Sequence, residues 1–182
     1  MPESYTFWEL HSAIQDAMGW SGGHLHGFMF TNKKNNWKTI TIAIPTPDDD
    51  EFMDRITDER TAKIADYFGK ISKQCKYEYD FGDGWVHSVL LEKVIPEASG
   101  EVYPKCLAGK RACPPDDCGG FGGYERLIDI LRKPKHKEHK EMLEWLCIDS
   151  SSEFDTEEFN AEGVIFSDPK EVLKEFENFT KQ

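Results

Sequence analysis

Apolar residues recur at helical spacing in five segments of the chain. In the first segment they repeat every three or four positions, between a threonine that can cap a helix and a glycine that can end it. In the last segment a proline stands at the first position, which is typical of a helix start. The predicted helices span residues 7–18, 58–70, 123–132, 137–147 and 169–179.

Alternating apolar and polar residues indicate strands on both sides of the second helix. Residues 24–30 and 37–44 are rich in aromatic and β-branched side chains. Residues 76–95 form the clearest predicted hairpin, because two such runs flank the turn sequence Gly-Asp-Gly at 82–84. This order of elements predicts an α+β fold in a single domain over residues 1–182, with an antiparallel sheet of about four strands and helices packed on it.

A long segment between the hairpin and the third helix is rich in proline and glycine. Residues 96–123 contain four of the nine prolines and six of the fourteen glycines, together with three of the five cysteines. A connection of this length inside a compact domain is usually either functional or disordered. The cysteines and the tight turns predict an ordered, functional loop.

Composition excludes several classes of protein. The 12 Phe, 6 Tyr and 5 Trp residues argue against disorder, because these side chains bury large areas on folding. No apolar run approaches the roughly 18 residues of a membrane helix, and the first residues lack the features of a secretion signal, so we expect a cytoplasmic protein. A net charge of −12 repels phosphate backbones and disfavours nucleic acid as a partner. Five cysteines in 182 residues do not indicate a disulfide scaffold.

The predicted hairpin carries candidate catalytic residues. If its turn has two residues, Asp80 lies opposite His87 at roughly 4.5–5.5 Å between Cβ atoms, with Asp83 beside them. An aspartate–histidine pair at that distance can act as a general base or contribute to a metal site. If the loop has three residues, Tyr79 lies opposite His87 and the pair is lost. The aspartate then braces the turn, and the histidine is an ordinary residue of the sheet.

Two further groups of residues offer metal ligands. His24 and His26 are two residues apart on a predicted strand, so their side chains share one face and can chelate a cation. Three thiols follow in the loop, at Cys106, Cys113 and Cys118. With a histidine as the fourth ligand, these thiols can bind Zn²⁺. Otherwise each packs as a small buried side chain, and the histidines are polar inclusions on a partly buried face.

Four motifs with defined spacing follow one another along the chain. They are Leu-His-x-x-Ile-Gln-x-x-x-Gly-Trp from residue 10, His-Leu-His-x-Phe from residue 24, Tyr-Asp-Phe-Gly-Asp-x-Trp-x-His from residue 79 and Cys-x-x-Gly-x-Arg-Ala-Cys-Pro-Pro-Asp-Asp-Cys-Gly-Gly-x-x-Gly-Tyr from residue 106. Together they resemble the family of proteins similar to the third open reading frame of an Ri plasmid, over about residues 5–160. The family occurs on bacterial and archaeal chromosomes and mobile elements, and its members are mostly uncharacterised.

The resemblance implies little about activity. Some members are labelled as resolvase-like passengers of insertion elements, but this chain shows no serine-recombinase nucleophile region and no basic DNA-binding tail. Members of the family usually begin with an additional strand before the first helix, and this sequence starts just after that point. Either the start of the sequence is misassigned, or the sheet lacks that edge strand and leaves its neighbour unpaired, which predicts a homodimer.

These observations favour a binding or accessory protein, associated with mobile elements, because they contain no complete catalytic set. Its predicted ligand surface is the loop 104–123 packed against the hairpin at 77–92. The candidate ligand-binding residues on this surface are Tyr79, Trp85, Arg111, Asp116, Asp117 and Tyr124. Two alternatives stay open: a metal-dependent hydrolase or nuclease that uses Asp80, Asp83 and His87, and a module in which zinc only pins the loop to the sheet.

Overall fold

A computed structural model of the chain describes residues 1–32, 38–46 and 56–179. Trp37, at the start of the predicted strand 37–44, lies outside these ranges. The helices within them are α1 (Phe7–Met18), α2 (Ile64–Tyr67), α3 (Gly120–Leu131), α4 (His139–Trp145) and α5 (Pro169–Phe179), with 3₁₀ turns at Ser151–Glu153 and Ala161–Gly163. The strands are β1 (His26–Asn32), β2 (Lys38–Ala43), β3 (Ile56–Asp58), β4 (Gln74–Tyr79) and β5 (Trp85–Leu90). None of the helices in the described ranges has the length and apolar character needed to cross a bilayer.

The predicted α+β class is confirmed, with one sheet in the order β3-β2-β1-β4-β5. All neighbouring strands are antiparallel except β2 and β3, which are parallel. The sheet has five strands instead of about four, because β3 pairs with the outer edge of β2. Of the helix predicted over 58–70, only Ile64–Tyr67 is α-helical, and Asp58 belongs to β3.

Helix α1 has the bounds that the sequence predicts. The Thr6 hydroxyl accepts a hydrogen bond from the N–H of Glu9 at 3.3 Å, and the Glu9 carboxylate accepts one from the N–H of Thr6 at 2.6 Å. This capping box satisfies two N–H groups that the start of a helix otherwise leaves without partners. The threonine and the glutamate three residues after it therefore fix where the helix begins.

The hydrophobic core lies between α1 and one face of the sheet. Side chains at alternate positions of β1 and β4 are buried on this face, and aromatic rings dominate it. Phe7 of α1 contacts Phe28 and Phe30 of β1, with ring centroids 5.0 and 5.8 Å apart. Helix α5 also packs on α1, where the Trp8 indole donates a hydrogen bond to the Pro169 carbonyl at 2.7 Å. The sheet thus forms a rigid platform for the loops at its ends.

Candidate functional site

The candidate site lies at the end of the sheet where β1 begins and β4 ends. His26, the first residue of β1, pairs with Tyr79, the last residue of β4. The linker before β1 (residues 19–25) therefore lies beside the hairpin loop after β4 (residues 80–84). The two segments are joined directly, because the N–H of Asp80 donates to the Leu25 carbonyl at 3.0 Å.

The β4–β5 hairpin has a longer loop than the sequence predicts. Tyr79 and Trp85 form the last strand pair, so the loop contains five residues. Asp80 belongs to this loop and does not lie opposite His87, which pairs with Tyr77. The predicted two-residue turn and its three-residue alternative are both wrong, and the proposed Asp80–His87 pair does not form.

Asp80 explains why the loop is long. Its backbone is left-handed, with φ of 52°, a conformation that aspartate tolerates better than most residues. Its Oδ1 atom accepts hydrogen bonds from the N–H groups of Gly82 and Asp83, at 2.9 and 3.2 Å. Its carbonyl accepts a third bond from the N–H of Gly84 at 2.6 Å. These bonds turn the chain immediately after β4 and leave Oδ2 facing the linker.

The proline-rich loop before α3 packs against the hairpin, as the sequence predicts. The N–H of Gly119 donates to Asp83 Oδ2 at 3.0 Å, and the Tyr79 hydroxyl donates to Asp116 Oδ1 at 3.3 Å. At Gly120 a Cβ atom would lie 2.5 Å from the Asp83 carbonyl oxygen, so only glycine allows this close approach. The hairpin and the loop are therefore in backbone contact.

The linker before β1 is tied to the same loop. The N–H and the hydroxyl of Ser21 both donate to Asp116 Oδ2, each at 2.8 Å. The Trp20 indole donates to the Pro114 carbonyl at 2.8 Å, and its ring stacks on Tyr79 with centroids 4.9 Å apart. Three segments that are distant in sequence thus meet at one end of the sheet.

A cluster of three potential metal ligands lies where these segments meet. His24 Nε2 is 3.2 Å from Asp117 Oδ1, and His24 Nδ1 is 4.0 Å from Asp80 Oδ2. One ligand atom from each of the three residues lies within 4.8 Å of the others. The side chains differ in exposure, at 13% for Asp80, 32% for His24 and 71% for Asp117. The cluster therefore has an anchored side and a side open to solvent.

Neighbouring groups indicate a negative potential around this cluster. Burial, and then the nearby carboxylate of Asp83, raise the pKa of the Cys118 thiol to about 11. Burial, and then the carboxylate of Asp116, raise the pKa of the Tyr79 hydroxyl to about 12. In each case the second cause is a nearby carboxylate, which disfavours the negative charge that the thiol or the hydroxyl acquires when it loses its proton. A cation at this position would be stabilised by the same carboxylates.

A shallow groove of about 210 Å³ adjoins the cluster and lies between α3 and α4. Asp117 is one of its lining residues, so the groove and the cluster share a wall. Arg126 is its cationic residue, and the guanidinium pairs with Glu138 of the neighbouring chain segment. The remaining lining residues are Cys118, Gly123, Leu127, Ile130, Met142 and Trp145. The groove therefore combines an apolar lining with one charge of each sign.

His87 is not part of the cluster. Its ring lies on the core face of the sheet, with centroids 5.5 Å from Trp20 and 5.7 Å from Tyr77. Burial lowers the pKa of His87, because the charged imidazole loses solvation there. The proposed catalytic set of Asp80, Asp83 and His87 is therefore not assembled at one point.

The three loop cysteines are not gathered into a zinc site. In the part of the chain that the structure describes, the group of three ligands within 4.8 Å contains no thiol. Burial raises the pKa of the Cys113 thiol to about 12. Each thiol donates a hydrogen bond to a different acceptor. The acceptors are the Ala108 carbonyl for Cys106 at 3.8 Å, the Met18 sulfur for Cys113 at 3.7 Å and the Gly120 carbonyl for Cys118 at 3.9 Å.

The remaining predicted ligand-binding residues lie around the site at different depths. Trp85 is partly buried against Trp20, with centroids 5.8 Å apart. Arg111 is exposed and pairs with Glu157 at 3.3 Å. Tyr124 lies in the first turns of α3, and burial raises the pKa of its hydroxyl. These residues contribute no ligand atom to the cluster.

His26 belongs to a buried polar network beneath the linker and not to the cluster. Its Nε2 atom is 2.8 Å from Oε1 of Glu59, a carboxylate with no solvent exposure. Its ring stacks on His11 with centroids 3.4 Å apart. The Tyr77 hydroxyl accepts from the Gln15 amide at 2.8 Å and lies 2.8 Å from His11 Nδ1. His26 therefore supplies no ligand atom to the cluster of His24, Asp80 and Asp117, and its role as a metal ligand stays a prediction.

We expect this network to make stability depend on pH. Burial, and then the charge of His26, lower the pKa of His11 well below its ordinary value of 6.5. As the pH falls below 6.5, the unfolded chain therefore binds up to one more proton at this residue than the folded protein does. Stability is highest above that pH, and it falls below it with a slope that approaches about 1.4 kcal/mol per pH unit. Urea unfolding from pH 7.5 to 5 should show this slope, and His11→Gln should reduce it.

The matched control for this prediction is His136→Gln, on the outer loop before α4. This variant should keep the wild-type slope, because the residue lies outside the buried network. An unchanged slope in His11→Gln would show that other groups cause the pH dependence.

The fold and the cluster define a single-domain α+β protein with a candidate cation site. The model of the plasmid pRiA4b ORF-3-like protein family matches residues 1–163, so the chain belongs to this family. The uncharacterised protein y4hQ of Sinorhizobium fredii is 36% identical over 148 residues, which cover 81% of this chain and 69% of that protein. The crystal structure of MM3350, a protein of unknown function from Methanosarcina mazei Go1, is 40% identical, with a TM-score of 0.77 over 91% of this chain and 86% of that one. The predicted family is confirmed, and these relatives assign no activity to it.

Proposed function

We propose that this protein is a binding module that takes up a divalent cation and uses it to hold a ligand. The observation that carries the proposal is the convergence of His24, Asp80 and Asp117, whose ligand atoms lie within 4.8 Å of one another. The three residues come from the linker, the hairpin loop and the proline-rich loop. The proposed binding surface is therefore the one that the linker, the hairpin loop and the proline-rich loop form together.

The chemistry of the ligands favours a transition-metal ion. One imidazole nitrogen and two carboxylate oxygens are ligands that Zn²⁺ accepts, and Mn²⁺ accepts the same oxygen donors. Three protein ligands leave at least one coordination position for another molecule, which is the arrangement of open zinc sites. The solvent-exposed side of the cluster, at Asp117, is the side from which that molecule can enter.

The groove between α3 and α4 supports the choice of ligand class. Asp117 lines both the groove and the cluster, so a molecule bound to the cation extends along the apolar residues of the groove. We propose a small ligand with an oxygen donor for the cation and an apolar body for the groove. Nucleic acid is not the expected ligand, because the chain carries a net charge of −12.

Calorimetric titration with Zn²⁺ tests the proposal. We expect one Zn²⁺ per wild-type chain after treatment with a chelator. His24→Ala and Asp117→Asn each remove a direct ligand and should weaken the affinity by at least about tenfold. The control is Asp129→Asn, because Asp129 lies on the exposed side of α3, where it pairs with Lys133 at 2.7 Å. It makes the same change of charge and should leave the affinity unchanged.

Two outcomes would contradict the proposal. A wild-type chain that binds no Zn²⁺ or Mn²⁺ would exclude a cation site at this position. Stoichiometric binding that survives both ligand variants and is lost in Cys113→Ser would instead favour the module in which zinc only pins the loop.

A further inference from the structure

We infer that Glu59 and His26 are positioning residues that hold His24 in place for the cation. The inference rests on the proposed function, since it concerns the same cation site. It adds two buried side chains that do not touch the cation, and it assigns them a role through the main chain of the linker.

Two hydrogen bonds fix the backbone from which the buried Glu59 side chain extends. The N–H of Glu59 donates to the Ala43 carbonyl, and the Glu59 carbonyl accepts from the N–H of Trp8, both at 3.1 Å. Residue 59 is thus tied to the end of β2 and to the first turn of α1. Its side chain has no solvent exposure, and Oε1 lies 2.8 Å from His26 Nε2. The carboxylate therefore lies beside the imidazole in a buried position and contacts it through Oε1.

The His26 ring is held on its face and at both nitrogens. It is nearly parallel to the His11 ring, at an interplanar angle of 3° and a centroid distance of 3.4 Å. Its Nε2 atom contacts Glu59, and its Nδ1 atom lies 3.3 Å from the His24 carbonyl oxygen. A carbonyl oxygen only accepts hydrogen bonds, so the contact with His24 is a hydrogen bond in the forms of His26 that carry a proton on Nδ1.

This bond fixes the backbone from which the His24 side chain extends. The next carbonyl, that of Leu25, accepts from the N–H of Asp80 at 3.0 Å. Two successive carbonyls are therefore anchored, one to the buried imidazole and one to the residue that supplies a second cation ligand. The His24 side chain is 32% exposed, so its own packing does not fully determine its position. The chain of bonds from Glu59 supplies the missing constraint.

Three variants separate positioning from charge and from stability. His26→Leu/Glu59→Leu replaces both buried partners by apolar side chains and removes the bond to the His24 carbonyl. Glu59→Gln removes the charge but keeps the bond, because the amide can donate to His26 Nε2 while Nδ1 keeps its proton. Tyr77→Phe is the matched control in the same buried layer, since its hydroxyl contacts His11 and Gln15 instead of the linker.

The measurement is Zn²⁺ affinity by calorimetry on folded, chelator-treated protein. We expect affinity to fall about tenfold in the double variant, within the range seen when a group behind a metal ligand is removed. Glu59→Gln and Tyr77→Phe should stay within about twofold of wild type. In a His24→Ala background the double variant should cause no further loss, since its effect passes through that residue.

The inference is overturned if Glu59→Gln weakens binding as much as the double variant, because the effect would then be one of charge. The inference is also overturned if Tyr77→Phe weakens Zn²⁺ binding as much as the double variant, because the lower affinity would then result from a loss of stability. The NMR signals of the His24 ring in metal-free protein give a second readout, and they should move in the double variant only. If the wild-type chain binds no cation, the proposed function fails, and these signals alone decide whether the two residues position His24.

Discussion

Replacing Gly123 by alanine is expected to displace the proline-rich loop and to abolish cation binding. A Cβ atom at this position would lie 1.8 Å from the carbonyl oxygen of Cys118, a distance that no side-chain adjustment can relieve because the obstacle is backbone. The loop must move, and Asp117 moves with the adjacent residue. We expect a loss of about 3 kcal/mol or more in the free energy of unfolding.

The control for this prediction lies one residue earlier in the same helix. At Gly122 a Cβ atom would meet nothing within 4 Å, so Gly122→Ala keeps the packing and gains helix propensity. It should stabilise the protein by about 0.5–1 kcal/mol and leave Zn²⁺ affinity unchanged. Urea unfolding and zinc titration of both variants provide the comparison. Equal stability of the two variants would show that the loop does not depend on the contact between Gly123 and Cys118.

The elements that the sequence predicts best are those with local signals. The capping threonine and glutamate fix the start of α1, and the proline at position 169 marks the start of α5. The strand β3 has no such signal, because it has only three residues and its hydrogen bonds go to β2, which is distant in sequence. A residue pattern read along the chain cannot report a parallel pairing of this kind, so no strand is predicted at residues 56–58 and Asp58 is assigned to a helix.

The candidate site illustrates how much depends on the length of one loop. The sequence singles out His24, Asp80 and Asp117, but in three separate proposals. A two-residue turn would direct Asp80 toward His87, whereas the five-residue loop directs it toward the linker before β1. The loop length follows from the left-handed backbone of Asp80 and its side-chain hydrogen bonds, which are properties of the folded chain. The residue types therefore indicate candidate metal ligands, and the hairpin geometry decides which of these side chains lie close together.

Glu59 is the residue of this region that sequence reasoning misses. Glutamate is rarely fully buried, and its neighbours in the chain include Asp58 and Arg60, so the pattern indicates a solvated segment. Asp58 and Arg60 indeed pair with each other at the surface, at 2.7 Å. The pairing of β3 with β2 turns Glu59 inward, where its Oε1 atom lies 2.8 Å from His26 Nε2.

Removing that imidazole is expected to produce the largest loss of stability from a single side chain in the buried network. In His26→Leu the backbone of Glu59 keeps its place, because the N–H and the carbonyl of this residue are bonded to Ala43 and Trp8, so the side chain still starts from a buried position. A buried charge then has no partner, and breaking a buried pair on one side typically costs about 3–5 kcal/mol. Thermal and urea unfolding should show this loss relative to wild type.

The double variant His26→Leu/Glu59→Leu decides whether the cost comes from the unpaired charge. We expect it to regain most of the lost stability, because replacing both partners of a buried pair by apolar side chains is often close to neutral. Asp129→Asn, which breaks an exposed pair on α3, should leave stability nearly unchanged, since exposed pairs contribute little. A double variant no more stable than His26→Leu would mean that the network stabilises the fold by shape and packing. Recovery would instead show that His26 is needed in the core because Glu59 is there.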